Sequence, residues 1–292
     1  MDTTFLLAFA TVAKTGSFSQ AARELGYTQS AVSQQVAALE RDLGARLLER
    51  RPVAPTEAGR RLLEHAGPIL LRLTAARTDV RRIAGALPAE LVVGMSPLAD
   101  TGRLIAAVAA VRAGMPRVEA IVEVTGRADV LAGVAQGRFA VGAVDGFAVE
   151  GDPLPVHDTG PFATTVLAEG PVAVAMPHTH PLADRQNLPL ETLADAHWID
   201  APETAAPLSR LRALTRTSGF HPGLRYRGTD VSTLLRLIAA DGGLALLPTA
   251  ALAGVRGVPV AAPLVHRTEL VHGSLGETGE ALVGVLGVGG RR

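Results

Sequence analysis

Four side chains near residue 30 have types suited to reading another polymer: Gln29, Ser30, Ser33 and Gln34. Their amides and hydroxyls can hydrogen-bond to base edges in the major groove of DNA, and glutamine is a natural reader of adenine. They head the stretch TQSAVSQQVAALERDL at 28–43, in which Val32, Val36, Leu39 and Leu43 recur at spacings of four, three and four. That spacing predicts one helix with an apolar face, and the polar group lies at its N-terminal end, off the stripe. Thr28 is placed to cap it, directly after a Gly26-Tyr27 turn. A shorter helix comes before. Ser17 opens a capping box with Gln20, and Ala21, Ala22 and Leu25 form its apolar side. Helix, tight turn and a second helix with a polar tip make the helix-turn-helix arrangement. Taken alone, the second helix fits equally well as a solvated helix with ordinary surface Gln and Ser.

The surrounding residues separate these readings. The run FLLAFATVAKTGSFSQAARELGYTQSAVSQQVAALERDLGARLLERR, followed by APTEAG, resembles the DNA-binding domain of LysR-type transcriptional regulators. The resemblance covers Phe5 to Gly59 and includes Gly16-Ser17-Phe18, Ala21-Ala22, Gln29 to Ser33, Leu39-Glu40, Leu43-Gly44 and Leu47-Leu48. It implies a winged helix-turn-helix at 1–59. Ser17, Gln20, Thr28, Gln29, Ser30, Ser33, Gln34, Arg50 and Arg51 are then the DNA-binding candidates.

The remaining elements must position that tip. Leu6, Phe9, Ala10 and Ala13 form a helical stripe, assigned to the first helix of the domain rather than to a signal-peptide core, since Asp2 stands where a basic segment belongs. Prolines 52 and 55 bracket a short basic turn and predict a β-wing. In the family the wing lies by the backbone or minor groove. Arg50 divides between phosphate and an ion pair with an acid such as Glu49, while Arg51 is favoured for DNA. Thr56 can cap a helix reaching Gly85, in which Leu62, Ala66, Ile69, Leu73, Ala76, Val80 and Ile83 repeat in a heptad seam. A narrow seam implies a second helix, most simply the same one from another chain, and the family uses this linker (60–86) as its dimer contact. Gly67-Pro68 should weaken or kink it.

After a break at Ala86–Ala89 the pattern becomes α/β, and 87–292 is expected to hold an effector-binding domain. Strands at 91–93, 118–124 and 140–144 alternate with helices at 104–111 and 130–134, which predicts a parallel sheet. A second set follows: strands near 164–168, 172–176, 197–201, 224–227 and 244–247, with helices near 208–218 and 230–240. A strand at 265–271 and a helix at 277–285 close the chain. This resembles the two-lobed, periplasmic-binding-protein-like effector domain of the same family. Lobe one would be 87–161 with 265–292, and lobe two 162–264. The short, Gly-rich tail departs from the family pattern.

Ligands of such folds bind at the carboxyl ends of strands, between the lobes. That selects Ser96, Pro97 and Leu98, then Thr125 and Gly126, and on the opposite wall Pro202, Glu203, Thr204 and Thr229. Hydroxyls and free amides at helix starts favour a carboxylate or another small anion, with Ser96 and Thr125 as the leading contacts. Helix capping by the same hydroxyls is the plainer alternative. Glu203 and Asp230 either point away from the cleft or mean that the ligand carries a positive or donor-rich group.

Bulk properties narrow the rest. No cysteine is present, which excludes thiol catalysis and thiolate metal sites and fits a reducing cytoplasm. Residues 1–86 hold 12 basic and 8 acidic side chains against 16 and 20 in the remainder, so the positive half carries the helix-turn-helix. His178-x-His180 sits in a Pro-rich turn without a matching acid, and no nucleophile elbow, Walker loop or dinucleotide fingerprint occurs. No catalytic residue, metal, cofactor or membrane span is expected. Trp198 and Phe162 read as core or cleft wall. The expected partners are double-stranded DNA, a small-molecule effector and a second copy of the chain; the resemblance adds a tetramer and RNA polymerase. The rivals are a solute sensor whose N-terminal domain contacts protein, and an enzyme built on the α/β domain.

Overall fold

The computed structural model describes residues 2–83, 90–99, 102–155 and 162–287, in two compact units. The expected break at 86–89, the expected end of the first part of lobe one at 161 and the last residues of the tail lie outside these, as does the side chain of Ile83.

The first unit begins with α1 (Thr3–Thr15), α2 (Phe18–Leu25) and α3 (Gln29–Leu43). Each starts on a side chain that accepts from a backbone N–H: Asp2 from Thr4, Ser17 from Gln20 and Thr28 from Ala31. These caps satisfy amides that have no helical partner. Gly26 ends α2 at φ 70°, a left-handed conformation that glycine adopts without a Cβ clash, and this makes the sharp turn into α3. Strands β1 (Leu48–Arg50) and β2 (Val53–Pro55) pair antiparallel as the wing. Helix α4 (Glu57–Ile83) follows, with the Thr56 hydroxyl accepting from Gly59 N–H at 3.0 Å.

One core joins these elements: Leu6, Phe9 and Val12 from α1, Ala21 and Ala22 from α2, Val32, Val36 and Leu39 from α3, and Leu47 and Leu48. Leu43, expected on the buried face of α3, is 42% exposed, because the helix runs one turn past the core. In α1 the buried stripe takes Ala8 and Val12, while Ala10 and Ala13 flank it. The α4 seam also divides. Ala66 is buried and Leu62, Leu63 and Leu70 pack against the unit's own core, whereas Ile69 is 37% and Val80 67% exposed. The helix continues through Pro68.

The second unit is built on a sheet of seven strands among the described residues: β3 (Glu90–Met95), β4 (Glu119–Val124), β5 (Val141–Ala148), β6 (Ala163–Met176), β9 (Ala245–Pro248), β10 (Arg256–Pro259) and β11 (Val265–His272). Its order is β10-β6-β11-β5-β3-β4, with β9 also on β6. The expected parallel β-α-β-α-β unit is present: β3 lies between β4 and β5, parallel to both, with α5 (Gly102–Gly114) and α6 (Arg127–Ala135) as the crossovers. Strands β7 (Trp198–Asp200) and β8 (Pro222–Arg225) form a separate parallel pair, connected through α7 (Leu208–Thr215). Helices α8 (Val231–Ala239) and α9 (Glu277–Leu286) complete the unit.

Three hydrophobic clusters lie along this sheet among the described residues, and the smallest packs α6 on it through Val130, Val134, Phe139, Val144 and Val271. The other two are the cores of the lobes. Leu91, Val93, Leu104, Val111, Leu270 and Leu282 belong to the first, and Val174, Met176, Trp198, Phe220, Ile238 and Leu246 to the second. The chain crosses between them inside continuous strands. The segments expected as two strands at 164–168 and 172–176 are the single strand β6, which pairs with β11 over its first part and with β9 and β10 over its second. Leu167, in the segment expected to open lobe two, packs in the first core. Strand β10 was not anticipated, since Gly257 and Pro259 break its apolar pattern.

Candidate functional site

In the first unit the α3 tip is laid out as its capping dictates. Gln29, Ser30 and Gln34 are exposed and Ser33 is half-buried. Thr28 Oγ1 accepts from Ala31 N–H at 3.2 Å and Ser17 Oγ from Gln20 N–H at 3.3 Å. Both hydroxyls serve as cap acceptors, and each keeps its O–H free to donate outward. Gln20 is exposed.

The wing is anchored by a residue that sequence reasoning did not single out. Glu40 Oε1 accepts from Leu47 N–H at 2.9 Å and from Leu48 N–H at 3.2 Å. Its Oε2 lies 3.9 Å from an Arg50 nitrogen, and Arg50 stacks 5.6 Å from the Phe18 ring centroid. The ion-pair partner of Arg50 is thus Glu40 and not Glu49. Arg51 is exposed and makes no ion pair or hydrogen bond among the described residues.

In the second unit a cavity of about 480 Å³ opens between the lobes. Ser96, Arg127, Asp145 and Phe147 line it from one side, and Pro202, Glu203, Ser209 and Arg210 from the other. Of the expected residues only Ser96, Pro202 and Glu203 reach it. Pro97 and Leu98 line a separate cavity of about 330 Å³ beside His266 and Pro248. Thr204 is fully buried, its hydroxyl without a hydrogen-bond partner among the described residues, and lines neither cavity. Thr229 is exposed and also outside both.

The hydroxyls expected to contact an anion both meet carboxylates in the structure. Ser96 is 2% exposed; its hydroxyl bonds the Asp145 carboxylate and accepts from Asp145 N–H at 2.8 Å. A ligand anion at Ser96 would meet that buried negative charge, which also bonds Leu98 N–H at 3.3 Å and His266 Nε2 at 3.2 Å. Thr125 turns its hydroxyl to Asp129 Oδ2 at 3.4 Å, away from the cavity. Asp145 did carry a signal, as the one acid inside the apolar run of β5.

The start of α6 is occupied from across the cleft. No side chain caps it at Gly126; instead Glu203 Oε2 accepts from Arg127 N–H at 3.2 Å. A Cβ at Gly126 would stand 3.1 Å from that oxygen, so glycine gives the room for the approach. Glu203 therefore points into the cleft, while Asp230 points away and caps α8 through Ser232 and Thr233 N–H. Burial pulls the Arg127 guanidinium below its ordinary value, and the carboxylates of Asp145, Glu269 and Glu203 pull it back up. Its Nη2 donates to Pro155 O at 3.0 Å. His180 Nδ1 accepts from Leu182 N–H at 3.2 Å, and Trp198 is core, donating to Leu193 O at 2.8 Å. Among the described residues no helix is long and apolar enough to cross a membrane.

Comparison with known proteins adds an independent line. Residues 4–60 match the profile described as bacterial regulatory helix-turn-helix protein, lysR family, and residues 84–273 match the LysR substrate binding domain. The chain is 31% identical over 250 residues to the HTH-type transcriptional regulator ShiR of Corynebacterium glutamicum (strain R), covering 84% of this chain and 82% of that one. It is 31% identical over 267 residues to the small neutral protease regulatory protein of Streptomyces coelicolor, covering 89% and 81%. In fold it is similar to the crystal structure of CbnR, a LysR family transcriptional regulator, at TM-score 0.55, 20% identity and 98% of each chain.

Proposed function

The chain belongs to the LysR family of bacterial regulatory helix-turn-helix proteins, and from that premise we propose how its parts divide the work. Gln29, Ser30, Ser33 and Gln34 read base edges from α3 in the major groove. Thr28, Ser17 and Gln20 bond the phosphates that flank it, through free hydroxyls and an exposed amide. Arg51 contacts backbone or minor groove beside the wing, and Arg50 supports it while held by Glu40. The observation that carries this reading is the α3 tip itself: polar and exposed at 29, 30 and 34, on a helix whose opposite face is locked into the core by Val32, Val36 and Leu39.

The apolar ridge of α4 from Ile69 to Val80 pairs with its copy in a second chain, because those residues are not consumed by the unit's own core. A dimer then offers two tips to an inverted repeat. Two such dimers forming a tetramer, and contact with RNA polymerase, extend the same reading. A small molecule between the lobes shifts their closure and with it the DNA-bound arrangement. The protein works where the DNA is, in the cytoplasm, and regulates rather than catalyses, as the names of its relatives imply. A hydroxyl-radical footprint of the full chain on the DNA upstream of its own gene tests this. The expected result is protected half-sites separated by whole helical turns; uniform cleavage along the duplex contradicts it.

A further inference from the structure

The interlobe cavity holds two charges that the fold leaves incompletely answered. Glu203 spends Oε2 on the Arg127 amide, while its Oε1 accepts no hydrogen bond among the described residues. Arg210, in the first turn of α7, lines the same cavity with no partner for its guanidinium among those residues. The other ionised groups there are already engaged. Asp145 bonds Ser96, Leu98 and His266, and Arg127 donates to Pro155 with three carboxylates around it.

What the cavity offers a ligand is therefore one carboxylate oxygen and one guanidinium, among apolar walls such as Phe147, Pro155 and Pro207. A ligand that fills the space removes water from Glu203 and from the part of Arg210 that lines the cavity. A charge taken out of water is costly unless paired; Arg127 answers part of the Glu203 charge, but an anion alone would still leave Glu203 Oε1 without a donor, and a cation alone would leave Arg210 unpaired. We propose that the ligand of this cleft is a zwitterion with an apolar body, of the amino-acid class, its ammonium on Glu203 and its carboxylate on Arg210. This rests on the interlobe cleft being the effector site, and it replaces the simple anion expected from the helix starts. The cavity of about 480 Å³ has room for such a molecule.

The test is a thermal-shift and calorimetric titration of the full chain with the protein amino acids, each beside its decarboxylated amine and its deaminated acid. At least one amino acid should raise Tm and bind saturably, with both counterparts weaker by about tenfold or more, the loss expected for one charge-assisted hydrogen bond. Glu203→Gln should weaken the amino acid and the amine while sparing the acid. Arg210→Gln, an exposed position, should weaken the amino acid and the acid while sparing the amine. The proposal is overturned if no amino acid binds, if the deaminated acid binds as well as its parent, or if either variant affects all three ligands alike. Ala213→Trp, at an exposed cavity-wall position, separates this from failure of the cleft reading. If a ligand of another class binds and this variant abolishes it, the cleft stands and the zwitterion falls; if that ligand binds the variant unchanged, both fall.

Discussion

Glu40 holds the backbone amides of both Leu47 and Leu48, at 2.9 and 3.2 Å, so one carboxylate on α3 fixes the first strand of the wing. Leu47 and Leu48 are 2% and 1% exposed, and water cannot readily replace that acceptor. Glu40→Ala should therefore lower stability by about 1–3 kcal/mol, the cost of leaving buried donors unpaired. Glu40→Gln, which keeps one acceptor oxygen, should lose less. Urea denaturation of the full chain measures both; equal midpoints for all three proteins would refute the anchor.

Base reading and phosphate binding should separate by mutation. Gln29→Ala should reduce discrimination against single-base changes in the operator by about 1–3 kcal/mol. Arg51→Ala should weaken binding to every sequence alike and lower the salt slope by about one. Gel shifts on operator variants at several salt concentrations check both, with circular dichroism to confirm that each variant is folded.

Dimerisation should depend on a residue that the unit's own core does not need. Val80 is 67% exposed on α4. Val80→Asp should give a monomer by light scattering with unchanged helix content. A dimer of undiminished strength would place the subunit contact elsewhere.

A pH effect is expected at the start of α8. Hydroxyls of Thr233 and Ser232, with their N–H groups, donate to Asp230 and hold its carboxyl down at about 2, below the ordinary 3.8. A depressed folded-state value means that the contribution is present above the unfolded value and is lost as pH falls through the folded one. The Tm gap between the parent chain and Asp230→Ala should be constant from neutral pH to about 4 and shrink towards pH 2. A gap independent of pH in that window would show that the carboxylate adds nothing there.

The N-terminal unit was largely legible because its signals are local. Ser17 and Thr28 are caps acting three residues ahead, and Val32, Val36 and Leu39 are one helical face. The same rule misplaced Leu43, since periodicity does not say where the core beneath a helix ends. The cleft was harder for a related reason. Ser96 looked like a ligand contact, but its hydroxyl belongs to Asp145, 49 positions along the chain, and no spacing rule couples them. Pro202 and Glu203 were legible as the loop after a strand, whereas Arg127 and Arg210 enter the cavity only because two lobes meet there. Strand β6 is one strand where two were expected: its pairing with β11 runs on across Glu169, Gly170 and Pro171, with a register shift between Thr268 and Glu269.

The central claim is that the α3 tip recognises a particular DNA sequence. The most direct measurement is the affinity of the full chain for a duplex from upstream of its own gene and for a shuffled duplex of equal composition, by fluorescence anisotropy between about 50 and 200 mM salt. The account predicts binding to the upstream duplex at least about 10³-fold tighter, with both affinities falling steeply as salt rises. Equal affinity for the two duplexes, or no binding to either at the lowest salt, would contradict it.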